Sequence, residues 1–417
     1  MKPLTIIAGL RTPFCRMGSD LASLSAADLG QHACAALLTR TGIDPGELSE
    51  VILGCVAQPV DSANVARIIA LRSGVPQHVP AVTVHRNCAS GMESLGTAAD
   101  RMAAGRGDLF LVGGTESMSN IPLLYPQATA DKFTSLSRAR SLGQKLAAIA
   151  AFRPSDFKPR IGLQLGLTDP YSGMIMGDTA ELLAREYELS RREQDAFAAR
   201  SQARALAARE ALKGEIAPLH LDGRVIEVDN GIREDSTEEK LAKLRPIFDR
   251  KTGTVTAGNS SQVTDGAVAL LVGSEEAAER LGIEPLGRLL AHSVVGCDPA
   301  RMGLGPVHAI HQLRKAHDLH PDDADVIEIN EAFAAQVLAV LRELAKPGDA
   351  DRPAISIDEA KLNRRGGSIA LGHPVGASGA RLVLTALDQL REIKGRRALV
   401  SLCVGGGQGT ALWLEAP

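Results

Sequence analysis

Aromatic residues and an excess of charge of either sign are both scarce in this chain. Aromatic side chains make up 3% of its 417 residues, and the formal net charge at pH 7 is −3. A nucleic-acid-binding surface needs clustered basic residues, commonly interleaved with aromatic side chains for stacking, so the composition argues against that class of protein. With 45% hydrophobic and 23% charged residues, the chain has the composition of a globular protein.

Cysteine is also sparse, and its spacing excludes two further classes. The cysteines lack the close pairs of a zinc site and the density of a disulfide scaffold. The first 14 residues lack the apolar core and the small-residue cleavage site of a secretory signal peptide. We therefore expect a cytoplasmic protein that holds no metal ion. The cysteines are Cys15, Cys34, Cys55, Cys88, Cys297 and Cys403.

The first part of the chain alternates between strand and helix patterns. Short runs rich in β-branched and apolar residues predict strands, and apolar residues at three- and four-residue steps predict helices. This alternation is typical of an α/β layered domain with a mainly parallel sheet. The predicted strands are 4–8, 51–56, 81–85 and 109–114, and the predicted helices are 26–40, 63–73 and one that follows Cys88.

The last part of the chain repeats this pattern faintly. A helix after Gly305 leads through Pro321 into an apolar strand, much as the helix after Ser25 leads through Pro45 into the strand at 51–56. Two similar α/β halves would explain the length, and sites commonly form where such halves meet. The predicted elements are strands at 253–257, 267–271 and 326–329, helices at 332–345 and 377–393, and a hairpin of 397–402 with 409–414.

The segment 120–247 differs from both halves, and we interpret it as an insertion. Residues 178–213 predict one long charged helix, with Asp178 as its N-cap and Gly214 at its end. Residues 131–170 carry seven basic side chains and few acidic ones around an amphipathic stretch at 146–152. That basic segment is either a solvated or subunit-contact face, or a lid whose charge meets the phosphates of an anionic substrate.

Cys88 stands where a predicted strand meets a helix of small residues. Unpaired N–H groups and the positive end of the helix dipole favour a thiolate at a helix N-terminus, and a thiolate attacks carbonyl carbon. Alone, a cysteine in such a place is as readily a packing residue, because free cysteine is among the most buried residue types. Three stretches further along the chain favour the catalytic interpretation.

Each of these stretches puts a reactive side chain at the end of an element. Asn330 follows the strand at 326–329, His373 lies in the glycine-rich run 366–379, and Cys403 precedes three glycines. Each has an ordinary structural explanation when taken alone. Together, the histidine can exchange protons near neutral pH, a second cysteine can hold or release a proton at carbon, and the amides of a glycine turn can stabilise an oxyanion.

These motifs, in this order, resemble the thiolase family, and the resemblance covers essentially the whole chain. It implies a five-layered αβαβα fold made of two similar βαβαβαββ halves. It also implies an N-terminal half of 1–119 and 248–275, an inserted loop domain of 120–247 and a C-terminal half of 276–417. The matching stretches are 10–14, 87–91, 253–259, 330–333, 372–374 and 403–407.

The resemblance implies a role for each reactive group. Cys88 would be acylated after activation by His373, and Cys403 would be the second acid/base. Asn330 would orient a water that, together with His373, holds the thioester oxygen of the acetyl-CoA enolate. The amides of Cys88 and Gly405 would hold the oxyanion of the tetrahedral intermediate.

The resemblance also places substrate-binding residues and implies the co-substrate. Coenzyme A and acyl-CoA would be the small-molecule partners, and no metal or bound redox cofactor would be needed. Residues expected to line the pantetheine channel or contact the substrate are Ser261, Phe248, Met176, Phe333 and Ala257.

The implied reaction is reversible acyl transfer, in which 3-ketoacyl-CoA and coenzyme A give acetyl-CoA and a shortened acyl-CoA. The segments 131–170 and 244–251 are similar to thiolase subunits of fatty-acid β-oxidation complexes, although those subunits usually have histidine where this chain has Asn330. Acetoacetyl-CoA thiolases commonly have histidine where this chain has Ile175. Fatty-acid degradation is therefore the first expectation, and condensation of two acetyl-CoA molecules is the alternative.

Two alternative functions and the expected binding partners of the protein also follow from the sequence. A ketoacyl synthase would lack the second cysteine, so Cys403 argues against it. A non-catalytic lipid carrier of this fold should have lost at least one of Cys88, His373 and Cys403. Family members are dimers or tetramers, so we expect a homodimer or homotetramer. A β-oxidation partner subunit or a membrane surface stays open for the basic segment, and no nucleic-acid partner is expected.

Overall fold

The computed structural model describes residues 3–348 and 352–417. The chain forms two compact units. The larger unit joins the chain before Ile121 to the chain after Thr168, and the smaller unit is Ile121–Thr168. Within the described ranges, no helix is both long and apolar enough to cross a membrane.

The strands of the described residues are short at the edges and longer in the centre of the sheet. They are β1 (Leu4–Arg11), β2 (Cys15–Arg16), β3 (Glu50–Gly54), β4 (Ala81–Val84), β5 (Leu109–Glu116), β6 (Leu123–Leu124), β7 (Arg160–Ile161), β8 (Leu219–Leu221), β9 (Arg224–Ile226), β10 (Thr264–Gly273), β11 (Gly287–Gly296), β12 (Val326–Ile329), β13 (Arg397–Val404) and β14 (Gln408–Glu415).

The helices range from single turns to five turns. They are α1 (Ala26–Thr41), α2 (Val65–Arg72), α3 (Ser90–Ala103), α4 (Gln127–Arg138), α5 (Leu142–Ala150), α6 (Gly162–Gly166), α7 (Met176–Glu186), α8 (Arg191–Ala207), α9 (Arg209–Lys213), α10 (Glu238–Leu241), α11 (Glu275–Leu281), α12 (Gly305–His317), α13 (Ala334–Leu344), α14 (Ser368–Leu371) and α15 (Val375–Ile393).

The main sheet has the strand order β12-β13-β14-β11-β1-β10-β5-β3-β4, with β2 paired to β10. Its two ends are parallel, since β3 pairs in parallel with β4 and β5, and β12 with β13. Its centre is antiparallel from β5 through β10, β1, β11 and β14 to β13. The expectation of a mainly parallel sheet is therefore wrong. Parallel neighbours need a crossover helix, whereas β13 and β14 are joined by a tight glycine turn that reverses the chain.

The alternation of side chains along the strands divides the interior into three cores. Val51 and Leu53 of β3 pack against the face of α1 and α2. Ile52, between them, belongs to the core formed by α3 and α15. A third core packs Leu399 and Trp413 against α12 and α13. Strands buried on both faces are continuous apolar runs, and each fully buried Leu, Ile or Val contributes about 1.5–3 kcal/mol.

These three cores establish the five layers expected from the sequence. In order, the layers are α1 and α2, the first half of the main sheet, α3 and α15, the second half of the main sheet, and α12 and α13. Four strands correspond in the two halves of the main sheet: β1-β10-β5-β3 mirrors β11-β14-β13-β12, and the halves join where β1 pairs with β11. The counterpart of β4 is reduced to one parallel bridge between Ile327 and Leu362. The five-layered αβαβα fold of two similar halves is confirmed.

The long helix predicted at 178–213 is wrong, because the structure has three helices there. The first, α7, begins at Met176 with Ile175 as its N-cap, rather than at Asp178. It ends before Glu188, which has a left-handed φ of 50°. Ser190 then starts α8 with a capping box, in which the Ser190 hydroxyl and the Glu193 carboxylate satisfy each other's backbone N–H groups. Such a cap begins a new helix even within a continuous polar pattern.

The strand predicted at 253–257 is also wrong, because side chains replace the neighbouring strand. The Glu181 carboxylate accepts the backbone N–H groups of Thr254 (2.9 Å) and Val255 (2.9 Å). The side-chain oxygen of Asn259 accepts the N–H of Thr256 at 2.8 Å. These backbone donors are therefore satisfied without a β-ladder, and the segment runs irregularly towards Ser260.

The smaller unit is built around a cluster of aromatic rings. The ring centroid of Phe133 lies 5.6 Å from that of Tyr125 and 4.9 Å from that of Phe152. Lys132 and Asp156 form an ion pair at 2.6 Å. The amphipathic stretch expected at 146–152 overlaps α5. This unit is shorter than the segment 120–247, and the division into two halves and an inserted loop domain of that length stays a prediction.

Candidate active site

The turn that carries Cys88 is fixed by its own side chains. Asn87, between β4 and α3, has a left-handed φ of 41°. The Ser90 hydroxyl donates to the Asn87 carbonyl at 2.6 Å and accepts the N–H of Arg86 at 3.0 Å. The Asn87 side-chain amide donates to the carbonyl of Gly405 at 2.6 Å. The turn is thereby tied to the glycine turn between β13 and β14, and Cys88 stays partly exposed.

Two backbone amides, those of Gly405 and of Cys88 itself, lie near enough to the Cys88 sulfur to affect its pKa. Burial raises the pKa of the Cys88 thiol, the two amides oppose that shift, and the charge of Glu116 adds to it. The helix N-terminus was expected to favour a thiolate at Cys88, and desolvation acts against that effect, because the loss of hydration disfavours the charged form of the thiol. A thiol with a raised pKa carries its proton at neutral pH, and that proton must leave before the sulfur can attack a carbonyl carbon.

His373 is held two residues before α15 begins. Its backbone N–H donates to the carbonyl of Gln262 at 3.0 Å, and its ring Nδ1 lies 2.6 Å from the hydroxyl of Ser378. Since the Ser378 hydroxyl donates to the Pro374 carbonyl at 3.0 Å, Nδ1 is assigned as the N–H that donates to Ser378. The buried Nε2 then carries a free lone pair and has no partner among the described residues.

The electrostatic surroundings keep this imidazole neutral. Burial, together with the positive charge of Arg381, lowers the pKa of His373 to about 3. A neutral imidazole with an unpaired Nε2 is a proton acceptor across the physiological pH range. The sequence pattern indicated His373 but missed Ser378, whose position five residues later on α15 is the signal that could have found it.

Asn330 directly follows β12 and is fully buried. Its backbone N–H donates to the carbonyl of Ser401 at 3.0 Å, and its side-chain oxygen accepts the Ser368 hydroxyl at 2.6 Å. The other end of the amide, Nδ2, has no partner among the described residues. A buried amide donor without a partner is costly, so Asn330 holds a donor available to a bound molecule.

Cys403 is buried at the end of β13, beside Met302 and Ala332. Burial raises the pKa of its thiol well above the ordinary value, and the nearby Cys88 raises it further. A thiol with a raised pKa is a proton donor rather than a resting anion.

The first turns of α3 and α15 approach each other through glycine. A methyl group at Gly91 would stand 2.7 Å from the backbone nitrogen of Ala380, and one at Gly379 would stand 2.8 Å from that of Met92. Both distances are shorter than real Cβ contacts, so only glycine allows this spacing. Cys88 and His373 each lie two residues before one of these helices, and the close packing therefore fixes both at the same end of the central layer.

Four of the five residues expected to bind the substrate make contacts near the glycine turn or with one another, and the fifth does not. The rings of Phe248 and Phe333 pack edge to face with centroids 6.2 Å apart. A methyl group at Gly405 would lie 3.2 Å from the sulfur of Met176, and the N–H of Ser261 donates to the Ala332 carbonyl at 2.9 Å. The exception is Ala257, which is exposed on the turn before Ser260.

Glu116 is a buried carboxylate that sequence reasoning missed. It accepts the backbone N–H groups of Val56 (3.0 Å), Ala57 (2.8 Å) and Gly376 (2.9 Å). Burial raises its pKa to about 7, although these amides lower it in part. Because Gly376 is the second residue of α15, Glu116 connects the end of β5 to the helix that follows His373. Its place at a strand end, after two glycines, is a signal that could have found it.

The fold and this cluster of cysteine, histidine and glycine-turn amides define an acyltransferase of the thiolase type. The family profile "Thiolase, N-terminal domain" matches residues 4–276, and "Thiolase, C-terminal domain" matches residues 283–416. The chain belongs to the thiolase family. As a thiolase, it takes coenzyme A as a substrate and requires no metal or other cofactor.

Relatives of known name cover nearly the whole chain. It is 45% identical over 419 residues to a beta-ketoadipyl-CoA thiolase of Pseudomonas aeruginosa, covering 98% of each chain. It is 39% identical over 421 residues to an acetyl-CoA acetyltransferase of Chromobacterium violaceum, covering 99% of this chain and 100% of the other. These names describe different acyl groups, so they establish the class of reaction but not the acyl chain.

Solved structures agree with this family and with the fold. The Bacillus anthracis acetyl-CoA acetyltransferase superposes with a TM-score of 0.88 at 36% identity, covering 100% of this chain and 99% of that one. The human mitochondrial 3-ketoacyl-CoA thiolase, solved in complex with CoA, superposes with a TM-score of 0.87 at 36% identity, covering 100% and 98%. The thiolase resemblance drawn from the sequence motifs is confirmed.

Proposed function

We propose that this thiolase cleaves 3-ketoacyl-CoA with coenzyme A through an acyl group carried on Cys88. The observation that carries the proposal is the surroundings of the Cys88 sulfur. The Asn87 side-chain amide donates to the Gly405 carbonyl at 2.6 Å, which ties the turn of Cys88 to the glycine turn after Cys403, and the backbone amides of Gly405 and Cys88 lower the pKa of the Cys88 thiol in part. Amide donors fixed beside a nucleophile stabilise the negative charge that develops on a carbonyl oxygen during attack.

In the first half of the reaction, Nε2 of His373 takes the proton of the Cys88 thiol. The sulfur attacks the 3-keto carbon, and the oxygen becomes an oxyanion that the amides of Cys88 and Gly405 hold. The bond between carbons 2 and 3 then breaks, which leaves the shortened acyl group on sulfur and releases the acetyl-CoA enolate. Cys403 gives its proton to that enolate carbon, so acetyl-CoA is the first product.

In the second half, the Cys403 thiolate takes the proton of an incoming coenzyme A thiol. The coenzyme A sulfur attacks the acyl group on Cys88, and the same two amides hold the second tetrahedral oxyanion. The carbon–sulfur bond to Cys88 breaks, and the proton held by His373 returns to Cys88. The sequence of steps regenerates all three groups, and its reverse is a Claisen condensation.

Two buried side-chain nitrogen atoms without partners form the second oxyanion site of this proposal, the one that binds the thioester oxygen of the enolate. Nδ2 of Asn330 and Nε2 of His373 are both buried and have no partner among the described residues. In the family mechanism that the resemblance implies, an amide at the Asn330 position holds a water that, with the protonated histidine, binds the thioester oxygen of the enolate. Asn330 therefore serves the step that makes or breaks the carbon–carbon bond. Met176, Phe248, Phe333 and Ser261 line the path of the pantetheine in this proposal, and Ala257, which is exposed on the turn before Ser260, contacts the substrate.

For the substrate, we infer 3-ketoacyl-CoA with a chain longer than acetoacetyl, as in fatty-acid degradation. The support is the similarity of 131–170 and 244–251 to thiolase subunits of β-oxidation complexes. The alternative is acetoacetyl-CoA, because a relative and a solved structure carry the name acetyl-CoA acetyltransferase. We also propose that the enzyme acts in the cytoplasm as a homodimer or homotetramer.

Replacing Cys88 tests the proposed function directly. We expect Cys88→Ala to abolish thiolysis of 3-ketoacyl-CoA and to leave the thermal unfolding midpoint unchanged. The matched control is Cys34→Ala, which removes the same atom from a buried position of α1 in a different core from the one that Cys88 packs against, and it should keep the parent kcat. Unaltered turnover in Cys88→Ala would contradict the proposal.

A thiolysis series tests the substrate. The compounds to compare are acetoacetyl-CoA, medium-chain and long-chain 3-ketoacyl-CoA, and beta-ketoadipyl-CoA, whose acyl group ends in a carboxylate. We expect kcat/KM to rise from acetoacetyl-CoA to the longer apolar chains. A flat profile would remove that preference, and a maximum at acetoacetyl-CoA or beta-ketoadipyl-CoA would replace it.

A further inference from the structure

A chain of buried polar side chains runs behind Asn330. The Ser368 hydroxyl donates to Oδ1 of Asn330 at 2.6 Å, and one N–H of Arg381 donates to the Ser368 oxygen at 3.3 Å. Another N–H of Arg381 donates to the Glu328 carboxylate at 3.1 Å. Asn330, Ser368, Arg381 and Glu328 each have 0% of their surface exposed, so none of them exchanges these partners for solvent.

The chemistry of this chain sets the direction of every hydrogen bond in it. A guanidinium group has only donors, so the Ser368 oxygen must accept from Arg381. The single proton of Ser368 is then available for Asn330, and only the oxygen of an amide can accept it. The amide of Asn330 is therefore held with Oδ1 towards Ser368 and with Nδ2 on the opposite side, where it has no partner among the described residues.

Arg381 is itself fixed, because its charge has a buried counterion. Glu328 on β12 pairs with Arg381 and also accepts the side-chain amide of Gln389 at 2.9 Å. Separating a buried ion pair leaves an uncompensated charge in the interior, which is strongly unfavourable. Arg381 thus keeps one geometry, and the donor that it presents to Ser368 keeps it too.

We propose that Ser368, backed by Arg381, is a positioning residue that holds the side-chain amide of Asn330 with its NH₂ group free for the enolate-binding site. This inference rests on the proposed thiolysis, and it assigns a task to a hydroxyl that touches no reacting atom. Without that hydroxyl, the Asn330 amide can rotate by a half turn and place its oxygen where the donor is needed. An oxygen there would accept a hydrogen bond from the bound water instead of donating one to it, so the water would become a poorer donor to the thioester oxygen of the enolate.

Two reactions that share one acyl-enzyme separate this role from general damage. Thiolysis of 3-ketohexanoyl-CoA forms butyryl-Cys88 and releases the acetyl-CoA enolate. Exchange of butyryl-CoA with isotope-labelled coenzyme A forms the same butyryl-Cys88 without any enolate. We expect Ser368→Ala to lower kcat of thiolysis by about 10- to 100-fold and to change the exchange rate by less than about threefold. The ratio of the two rates is independent of the amount of folded enzyme in the sample.

Further variants test whether the effect passes through Asn330 and depends on the hydroxyl. Since the proposed effect passes through Asn330, Ser368→Ala should change thiolysis by less than about twofold when Asn330→Ala is already present. Ser368→Thr keeps the hydroxyl and should restore thiolysis to within about fivefold of the parent. Ser293→Ala is the matched control, because it removes a buried hydroxyl that donates to the Ala309 carbonyl, and it should leave the ratio unchanged. If Ser368→Ala does not fold, Ser368→Cys, a poorer donor, should show the same drop in the ratio, to a smaller extent.

Three results would overturn the role of Ser368. These are equal losses in thiolysis and exchange, a parent-like ratio in Ser368→Ala and in Ser368→Cys, and an undiminished effect in the Asn330→Ala background. A parent enzyme that exchanges butyryl-CoA but cleaves no 3-ketoacyl-CoA would instead overturn the proposed function, and this inference with it.

Discussion

Gly379→Ala should slow the enzyme because it pushes apart the two helices that follow Cys88 and His373, the groups that we propose to react. A methyl group at this position would stand 2.8 Å from the backbone nitrogen of Met92, whereas ordinary contact begins at 3.4 Å. Relief of the clash therefore requires a shift of about 0.6 Å between α15 and α3. Cys88 precedes α3 by two residues and His373 precedes α15 by two, so the shift reaches both.

The magnitude follows from this displacement. Misplacement of reacting groups by about 1 Å costs on the order of 100-fold in rate, so about 0.6 Å corresponds to about tenfold in kcat. Overpacking costs about 1–3 kcal/mol, and alanine regains about 1 kcal/mol over glycine in a helix. The free energy of unfolding should therefore fall by about 1 kcal/mol.

The assay is the initial rate of thiolysis at saturating substrate, paired with thermal unfolding. The matched control is Gly143→Ala in α5, where an added methyl group meets nothing within 4 Å. That variant should keep the parent kcat and gain up to about 1 kcal/mol, so the same chemical change should have opposite effects on stability at the two positions. A Gly379→Ala enzyme with the kcat and unfolding midpoint of the parent would refute the reasoning.

Three further results are expected. The pKa of His373 is about 3 in the folded protein, below its value of about 6.5 in the unfolded chain, so the unfolded state binds more protons between these values and stability falls as the pH decreases from about 6.5. Between pH 7 and pH 5, His373→Asn should therefore lose about 2 kcal/mol less unfolding free energy than the parent in denaturant titrations. Equal losses would contradict the buried neutral imidazole. Alkylation of Cys88 by iodoacetamide should keep accelerating up to and beyond pH 9, since burial raises the pKa of its thiol; a plateau near neutral pH would mean a resting thiolate. Glu181→Ala should cost about 3 kcal/mol of unfolding free energy, because the backbone N–H groups of Thr254 and Val255 lose a charged acceptor; an unchanged denaturation midpoint would show that another group holds this segment.

The local patterns of the sequence were sufficient where an element is decided by its own residues. The strand at 326–329 was predicted with its exact bounds, because a short apolar run buried on both faces is its own signal. The end of the first helix at Gly42 has the left-handed cap that glycine favours. The four reactive stretches were found because Cys88, Asn330, His373 and Cys403 all stand at element ends.

The errors arose where distant residues decide. Thr254 and Val255 form no strand, since Glu181, more than seventy positions earlier, takes their N–H groups. The antiparallel centre of the sheet depends on which strands pair after the insertion, and periodicity carries no such information. The expectation that the helix N-terminus favours a thiolate at Cys88 stays a prediction, and the local helix argument omits the desolvation that the whole fold imposes.

The residues that support the site could not be predicted from the sequence, because they depend on contacts between distant parts of the chain. Ser368 is a small residue in a glycine-rich turn, and Arg381 is one charge in a long helix. Their link to Asn330 exists only after β12, α14 and α15 have packed together. Sequence motifs therefore indicate the groups that we propose to react, and the fold is needed to identify the groups that hold them in place.

Mass spectrometry of the enzyme after brief incubation with 3-ketohexanoyl-CoA tests the central claim most directly. The account predicts a butyryl group, two carbons shorter than the substrate acyl chain, on the peptide that contains Cys88, and its loss when coenzyme A is added. Turnover with no adduct on Cys88, or an adduct on Cys403 alone, would contradict it.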